Sequence, residues 1–382
     1  MRKYIQIPDA ENESFQIMSG YAFSLEPQVP KDPEQPFALW RGVEVHGQLV
    51  AGAGLYPLPV RLKGATINLG GIGSVATWPQ HRRQGNVSWL LTEILREMRE
   101  RKLFLSALWP FNWQFYRRFG WELATTALSA EVKTSELATL PEPDCGQGEL
   151  FDGDHGALEA VHTKMAEEYQ LHCLRTAKWL RIALKPWGKK AVTWCWRENN
   201  GITGYFTCSQ DKEKLVVHDI FWASANAMWG MFRLLANHDA QAEKVAFRQL
   251  PSNHPLPILL GDQYQDFRLK PLIMARIVDV ERLLAALDWP IVSGRICLQV
   301  ADRHAPWNNG MFTLSFTEGS CAVSRNGGRP DLELGIEQLT QLVTGYTGPQ
   351  TLNAGKKITM HAQHMLINTL FPLHTPFFGE RF

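Results

Sequence analysis

The run Val75-Ala76-Thr77-Trp78-Pro79-Gln80-His81-Arg82-Arg83-Gln84-Gly85-Asn86-Val87-Ser88 constrains the fold more than any other stretch of the chain. An apolar, Gly-rich strand is predicted over Ile67 to Thr77. A short basic loop follows, and an amphipathic helix opens at Gly85, with Leu90, Leu91, Ile94, Leu95 and Met98 on one face. This order gathers the free N–H groups of a helix start beside two guanidiniums. A helix N-terminus attracts anions, and a glycine lets a phosphate approach the backbone. Arg82 and Arg83 add charge-assisted donors. The pattern points to a diphosphate ligand; the bland alternative is a basic turn capping a surface helix. It is neither Gly-Lys-Ser/Thr nor Gly-x-Gly-x-x-Gly.

A chain of 382 residues is too long for one ordinary core and predicts two or three domains. Its net charge of +1 gives no global basic field for nucleic acid. No stretch reaches the roughly 20 apolar residues of a membrane span, and the start lacks an apolar leader core. The six cysteines (145, 173, 195, 208, 297 and 321) are scattered, which fits reduced thiols in the cytoplasm.

Along the chain, Phe15 to Ser24 reads as a helix and Gln48 to Tyr56 as a strand. Pro57-Leu58-Pro59 reads as a turn, and Val60 to Leu62 as the start of the partner strand. Leu103 to Trp109 reads as a buried strand. Pro110 opens a short helix that ends at Gly120, a natural C-terminal cap. Thr134 to Gly148, rich in Pro, Glu and Gly, reads as a linker. Beyond it, Ala157 to Tyr169 and Lys178 to Leu184 read as helices, and Ala191 to Thr207 as a hairpin around Asn199-Asn200-Gly201. The strand–helix–strand run from Leu215 to Leu250 echoes Ile67 to Trp109 without the basic loop, as a degenerate second copy would. Asp279 to Leu287 opens a third unit. Pro290 to Val300 and Gly310 to Phe316 read as strands and Leu332 to Tyr346 as a helix. Alternating elements of this kind indicate α/β layers.

Three features carry a resemblance. The basic loop resembles the coenzyme A loop of the GNAT superfamily of N-acetyltransferases, with Val87 where that family usually has Gly or Ala. Phe115-Tyr116-Arg117-Arg118-Phe119-Gly120-Trp121 resembles its Tyr-x-x-Phe-Gly-Phe/Tyr element. The third unit has Pro306-Trp307-Asn308-Asn309-Gly310 and a tail with aromatics from Phe371 to Phe382. Together they resemble the Eis-like (enhanced intracellular survival) acetyltransferases over essentially the whole chain. That resemblance implies mixed α/β sheets: a GNAT acetyl-CoA-binding domain (1–140), a degenerate second GNAT-like domain (149–284) and a sterol-carrier-protein-like α+β domain (285–382) whose end enters the active site.

The implied reaction moves an acetyl group from acetyl-CoA to a primary amine. Tyr116 matches the family's proton donor to the departing thiolate; the alternative is a packing tyrosine between Phe115 and Phe119. The base in that family is the main-chain carboxylate of the last residue, here Phe382. Such a carboxylate, with a pKa of about 3.5, is ionised at pH 7 and can accept the ammonium proton. Val75, Ala76 and Thr77 would pair with the pantetheine arm like an added strand. Arg83, Gln84, Gly85, Asn86, Val87 and Ser88 would ring the pyrophosphate, and Arg82 would reach the ribose phosphate or face solvent. Phe111 and Asn112 would flank the cofactor. Relatives of this kind act on aminoglycosides and form hexamers, so a homo-oligomer acting on an aminoglycoside, a polyamine or a protein lysine is implied. Arg381, beside Glu380 and next to the proposed base, would oppose a cationic acceptor.

Other signals are weaker. His361 and His364 have the spacing of a metal pair but lack a third ligand, so no metal is expected. His218-Asp219 and His304 lack a companion nucleophile. Trp187, Trp194 and Trp196 fit a core better than an amine pocket. A competing function is a lipid or apolar-ligand carrier using residues 290–370, and a third is a catalytically idle scaffold.

Overall fold

The computed structural model describes residues 1–24, 38–184, 191–199, 201–260 and 266–381. Trp187, Asn200 and Phe382 lie outside the described residues. The chain divides into two compact units. One comprises residues 1–124 and 273–373, and the other residues 125–272 and 374–381.

The first unit holds two sheets. The larger has seven strands in the spatial order Arg2–Gln6, Leu39–Val45, Gln48–Leu62, Ala65–Thr77, Leu105–Leu108, Met274–Ile277 and Glu122–Leu123. Ala65–Thr77 and Leu105–Leu108 run parallel, joined through the helix Asn86–Glu100. That helix buries Leu90, Leu91, Ile94, Leu95 and Met98, the face expected from spacing. Its opposite side carries Glu97, which accepts from Arg41 Nε and Nη2 (2.7 and 2.6 Å), Tyr4 Oη (2.5 Å) and Arg101 Nε (2.6 Å). The smaller sheet orders Ser320–Ser324, Gly310–Thr317, Gly294–Ala301, Leu332–Gly335 and Thr359–Met360. The helix Ile336–Thr344 ties the two sheets together. Its Thr340 Oγ1 accepts the Ile277 N–H (3.0 Å), and its Gln341 Nε2 donates to the Leu123 carbonyl (3.1 Å).

The second unit repeats the parallel strand–helix–strand idea. Lys214–Trp222 and Lys244–Pro251 are parallel and joined through the helix Ala225–Ala236. The seven strands run Asp266–Pro271, Thr126–Lys133, Lys244–Pro251, Lys214–Trp222, Gly201–Asp211, Val192–Glu198 and Gln147–Leu150. Trp196 is core here, as the composition suggested, and Trp194 packs partly buried against it. The segment 374–381 docks into this unit. Phe377 and Phe378 are buried, the Phe377 N–H reaches the Gln170 carbonyl (2.9 Å), and Gln249 Nε2 reaches the Phe378 carbonyl (2.6 Å). Arg175 is the centre of this anchorage. Its guanidinium pairs with Glu380, bonds Asp219 and Tyr205 (3.0 Å each) and lies 4.6 Å over the Phe221 ring. Trp179 Nε1 donates to the other Glu380 oxygen. Glu380 is therefore a buried anchor.

Three sequence expectations are corrected. The chain passes from one unit to the other at Thr125 and Ile273. The stretch Thr134–Gly148, read as a linker, lies inside the second unit, because Thr126–Lys133 pairs with Lys244–Pro251 and Thr134 bonds the Glu243 and Ala242 carbonyls (N–H 2.9 Å, Oγ1 2.7 Å). Its Pro and Glu content marks a surface excursion. Pro57 and Pro59 lie within one continuous strand, Gln48–Leu62. Leu39–Val45 covers that strand only as far as Leu55, so the prolines sit where one side has no partner strand and a missing N–H costs nothing. Leu332–Gly335 is a strand and the helix starts at Ile336. Leu332, Ile336 and Leu339 keep helical spacing across the boundary, which masks the short Leu332-x-Leu334 alternation of the strand.

Among the described residues, no helix is long and apolar enough to cross a membrane.

Removing one partner of the buried Arg175 cluster should leave carboxylates stranded. Arg175→Ala is expected to cost about 3–5 kcal/mol of unfolding free energy, read by chemical denaturation. A loss below about 1 kcal/mol would show that the cluster does not hold the tail. Burial would raise the Glu97 carboxyl, but bonds from Arg41, Tyr4 and Arg101 outweigh it and lower it from 4.5 to about 2. The stability it contributes is present above about pH 4.5 and lost as pH falls towards 2. Glu97→Gln should therefore flatten the stability profile across that acid window.

Candidate active site

The parallel pair at the centre of the first sheet parts before it ends. Pairing between Ala65–Thr77 and Leu105–Leu108 stops at Ile72 and Leu108, yet the first of these strands continues to Thr77. A bulge sits at the parting: Gly52 pairs with Ala76 and Gly54 with Gly73, which leaves one extra residue on this strand. Ser74 takes φ +52 there. Bulges of this kind turn a strand and end its pairing. Residues 73–77 therefore have a neighbour on one side and an open backbone edge on the other. Thr77 is buried, and its Oγ1 has no hydrogen-bond partner in the protein.

The open edge runs into the basic loop. Arg83 and Gly85 both adopt left-handed conformations (φ +60 and +77). Gly85 begins the helix Asn86–Glu100, which has no side-chain cap and no acidic residue in its first turn. Its first N–H groups are left for a ligand. Asn86 Nδ2 reaches the His81 carbonyl (3.2 Å), and Arg82 Nε reaches the Thr77 carbonyl (3.3 Å), which hold the loop in shape. Arg2 donates to the Gln84 carbonyl and adds a third guanidinium beside this loop.

Edge, loop and helix start open onto one cleft of about 1050 Å³. Val75, Ala76, Thr77, Arg82, Arg83, Gly85, Asn86, Val87 and Ser88 form one side; Phe111, Phe115, Arg118, Phe119, Arg303 and His304 line it as well. No carboxylate is among the described residues lining it. Tyr116 stands just behind, buried and edge-on to Phe111 and Phe115 at 5.5 and 5.1 Å between ring centres. Burial holds its phenol above the ordinary value, so it keeps its proton at neutral pH.

Comparisons with known proteins bear on this geometry. Residues 4–124 and 173–277 each match the model of an acetyltransferase (GNAT) domain, and residues 280–379 match a sterol carrier protein domain. The chain is a GNAT-type acetyltransferase. It is 22% identical over 321 residues to an uncharacterized N-acetyltransferase of Streptomyces coelicolor, covering 77% of this chain and 76% of that one. In fold it matches Eis1 of Mycobacterium abscessus (TM-score 0.82, 21% identity, all of both chains). It also matches a probable N-acyltransferase of Enterococcus faecalis (TM-score 0.91, 20% identity, all of both chains).

The acetyltransferase thus brings Val75, Ala76, Thr77, Arg83, Gly85, Asn86, Val87, Ser88 and Phe111 to one cleft. Gln84 turns its side chain to the Gln80 carbonyl (3.0 Å), and Asn112 caps the helix Trp113–Arg117 by accepting the Phe115 N–H (2.9 Å). Neither is among the described residues lining the cleft. Gly120 takes the place expected of it, at φ +86. It closes the short helix with Gly120 N–H to Arg117 (3.0 Å) and Trp121 N–H to Tyr116 (3.3 Å).

Sequence reasoning missed Arg118 and Arg303, and it set His304 aside for want of a companion nucleophile, although all three line the cleft. Arg118 sat unmarked inside the aromatic motif. Arg303 and His304 lie more than 200 residues beyond the loop, so nothing local signalled them. Burial first, then the charge of Arg276, lowers His304 from its ordinary value. His218, set aside for want of a partner, bonds Ser209 Oγ (2.8 Å) in the second unit, a buried contact that sequence could not show. His361 bonds Glu333 (2.8 Å).

Gly85→Ala is expected to weaken coenzyme A binding by about 10-fold or more. A Cβ there meets nothing closer than Arg2 Nη2 at 3.7 Å, so the protein has room for it. The cost lies in the left-handed backbone, about 1–2 kcal/mol, and in the space a phosphate needs. Calorimetric titration with coenzyme A checks it; unchanged affinity would remove the loop from the binding site.

Proposed function

We propose that this acetyltransferase transfers the acetyl group of acetyl-CoA to a primary amine, with the cosubstrate held in the cleft between the open strand edge and the Gly85 helix start. The observation that carries the reading is the parted strand running directly into an uncapped, arginine-flanked helix N-terminus. The residues present fit the ligand. An open edge at residues 73–77 suits the amide-bearing pantetheine arm, the orphaned Thr77 Oγ1 offers it a polar contact, and Gly85, Arg82 and Arg83 suit a diphosphate.

In this reading the amine nitrogen attacks the thioester carbonyl carbon. The C–N bond forms, the C–S bond breaks, and the sulfur takes the Tyr116 proton, which solvent replaces. Burial leaves the Tyr116 phenol protonated at the working pH, as a donor must be. The proton lost by the amine goes to the main-chain carboxylate of Phe382, a role taken from the family resemblance.

The carrier reading has less support. A cleft of about 660 Å³ in the sterol carrier domain is lined by Arg295, Thr313, Asn326, Arg329 and Asp331, polar groups that offer an apolar ligand little.

A thiol-release assay across aminoglycosides, polyamines and lysine peptides tests the reading. Tyr116→Phe should lower kcat by about 10²–10⁴-fold while leaving the KM for acetyl-CoA nearly unchanged. Extending the chain by one glycine beyond Phe382 should also lower kcat. Full activity in both variants would remove the proposed acid and base.

A further inference from the structure

The cofactor loop accounts for one end of the cleft. The remaining cationic residues come from elsewhere. Arg118 follows the Tyr116 helix, and Arg303 and His304 belong to the sterol carrier domain, within the same compact unit. His304 stacks on Phe119 (5.1 Å between ring centres) and hydrogen-bonds the backbone of Arg118. Arg118 in turn lies over Phe115 and Phe119, at 5.0 and 5.7 Å from their ring centres. The three side chains therefore stand together on the cleft wall. Both arginines are exposed, and neither forms an ion pair among the described residues.

The turn that presents Arg303 and His304 is built rigidly. Asp302 is fully buried. It takes Arg276 through both oxygens (2.8 and 2.7 Å), the N–H groups of His304 and Ala305 (3.1 Å each) and Asn308 Nδ2 (2.9 Å). Arg276 also donates to the Phe119 carbonyl, which joins this turn to the Tyr116 element. The acid in the turn is thus already paired and leaves the positive charge of Arg303 uncompensated.

We propose that Arg303 and Arg118, with His304 as a hydrogen-bonding partner, form a phosphomonoester subsite that takes the 3′-phosphate on the ribose of coenzyme A. The sterol carrier domain then completes the cofactor site of the first acetyltransferase domain. The inference rests on the reading that acetyl-CoA occupies this cleft. Coenzyme A carries a diphosphate and a separate phosphomonoester. The helix start, Arg82 and Arg83 suit the first, with Arg82 steadied by its Nε on the Thr77 carbonyl. A second group of unpaired guanidiniums in the same cleft suits the other, since guanidinium and phosphate oxygens match in charge and geometry.

The test is calorimetric titration of the full chain with coenzyme A and with 3′-dephospho-coenzyme A. Wild type should bind coenzyme A at least about 10-fold more tightly, the range for one or two charge-assisted hydrogen bonds. Arg303→Ala should bring that ratio close to 1 while leaving affinity for the dephospho form unchanged. Arg303→Lys should restore part of it. Arg303 is exposed, and an unaltered thermal melt confirms that the variant folds. Equal binding of both forms by wild type, or an unchanged ratio in Arg303→Ala, would overturn the subsite and leave the acetyl-CoA reading standing. Binding of neither form would overturn both.

Discussion

The parting of two parallel strands at Ile72 and Leu108 is the constraint on which the candidate site depends. A sheet normally saturates its backbone through neighbours, and leaving five residues of a central strand unpaired on one side is costly unless something else pairs with them. The bulge at Ser74 turns the strand away from its partner, and the helix Asn86–Glu100 packs five apolar residues beneath it. The same core that stabilises the crossover thus holds an open edge in place. Strand edge and helix start are positioned by rigid elements, which is what a ligand site with defined geometry needs.

The second copy shows what that constraint requires by lacking part of it. Lys214–Trp222 and Lys244–Pro251 are also parallel and also joined by a helix. Their connection enters the helix through Ser224, whose hydroxyl accepts the Ala227 N–H (3.0 Å). A capped helix start has already spent one of the donors that a phosphate would use. No arginine pair precedes it. The second unit instead concentrates its polar groups around Arg175, where they hold the tail.

Charge in this molecule is placed by burial. Arg276 and Asp302, both fully buried, neutralise each other and fix a turn, while Arg303 next in sequence is exposed and unpaired. A buried pair contributes less to net stability than its distance suggests, because desolvation offsets much of the attraction. Its clearer consequence is positional: it holds one backbone segment against another, here the sterol carrier turn against the carbonyl of Phe119.

Local sequence determined the parts of this protein that obey short periods. The Leu90–Met98 stripe, the Arg82-Arg83-x-Gly85 loop, the helix closure at Gly120 and the echo in the second unit all follow from residues within a few turns of each other. Tertiary structure alone decided the rest. Which sheet Thr126–Lys133 and Met274–Ile277 join depends on pairing partners more than 100 residues away, and a strand's alternation is the same in either sheet. Where Pro57 and Pro59 are tolerated depends on how far a neighbouring strand reaches. That Arg303 and His304 share a cleft with Gly85 depends on Ile336–Thr344 packing across two sheets. Period and cap chemistry act over a few residues, whereas a site assembled from three segments exists only once long-range packing has closed.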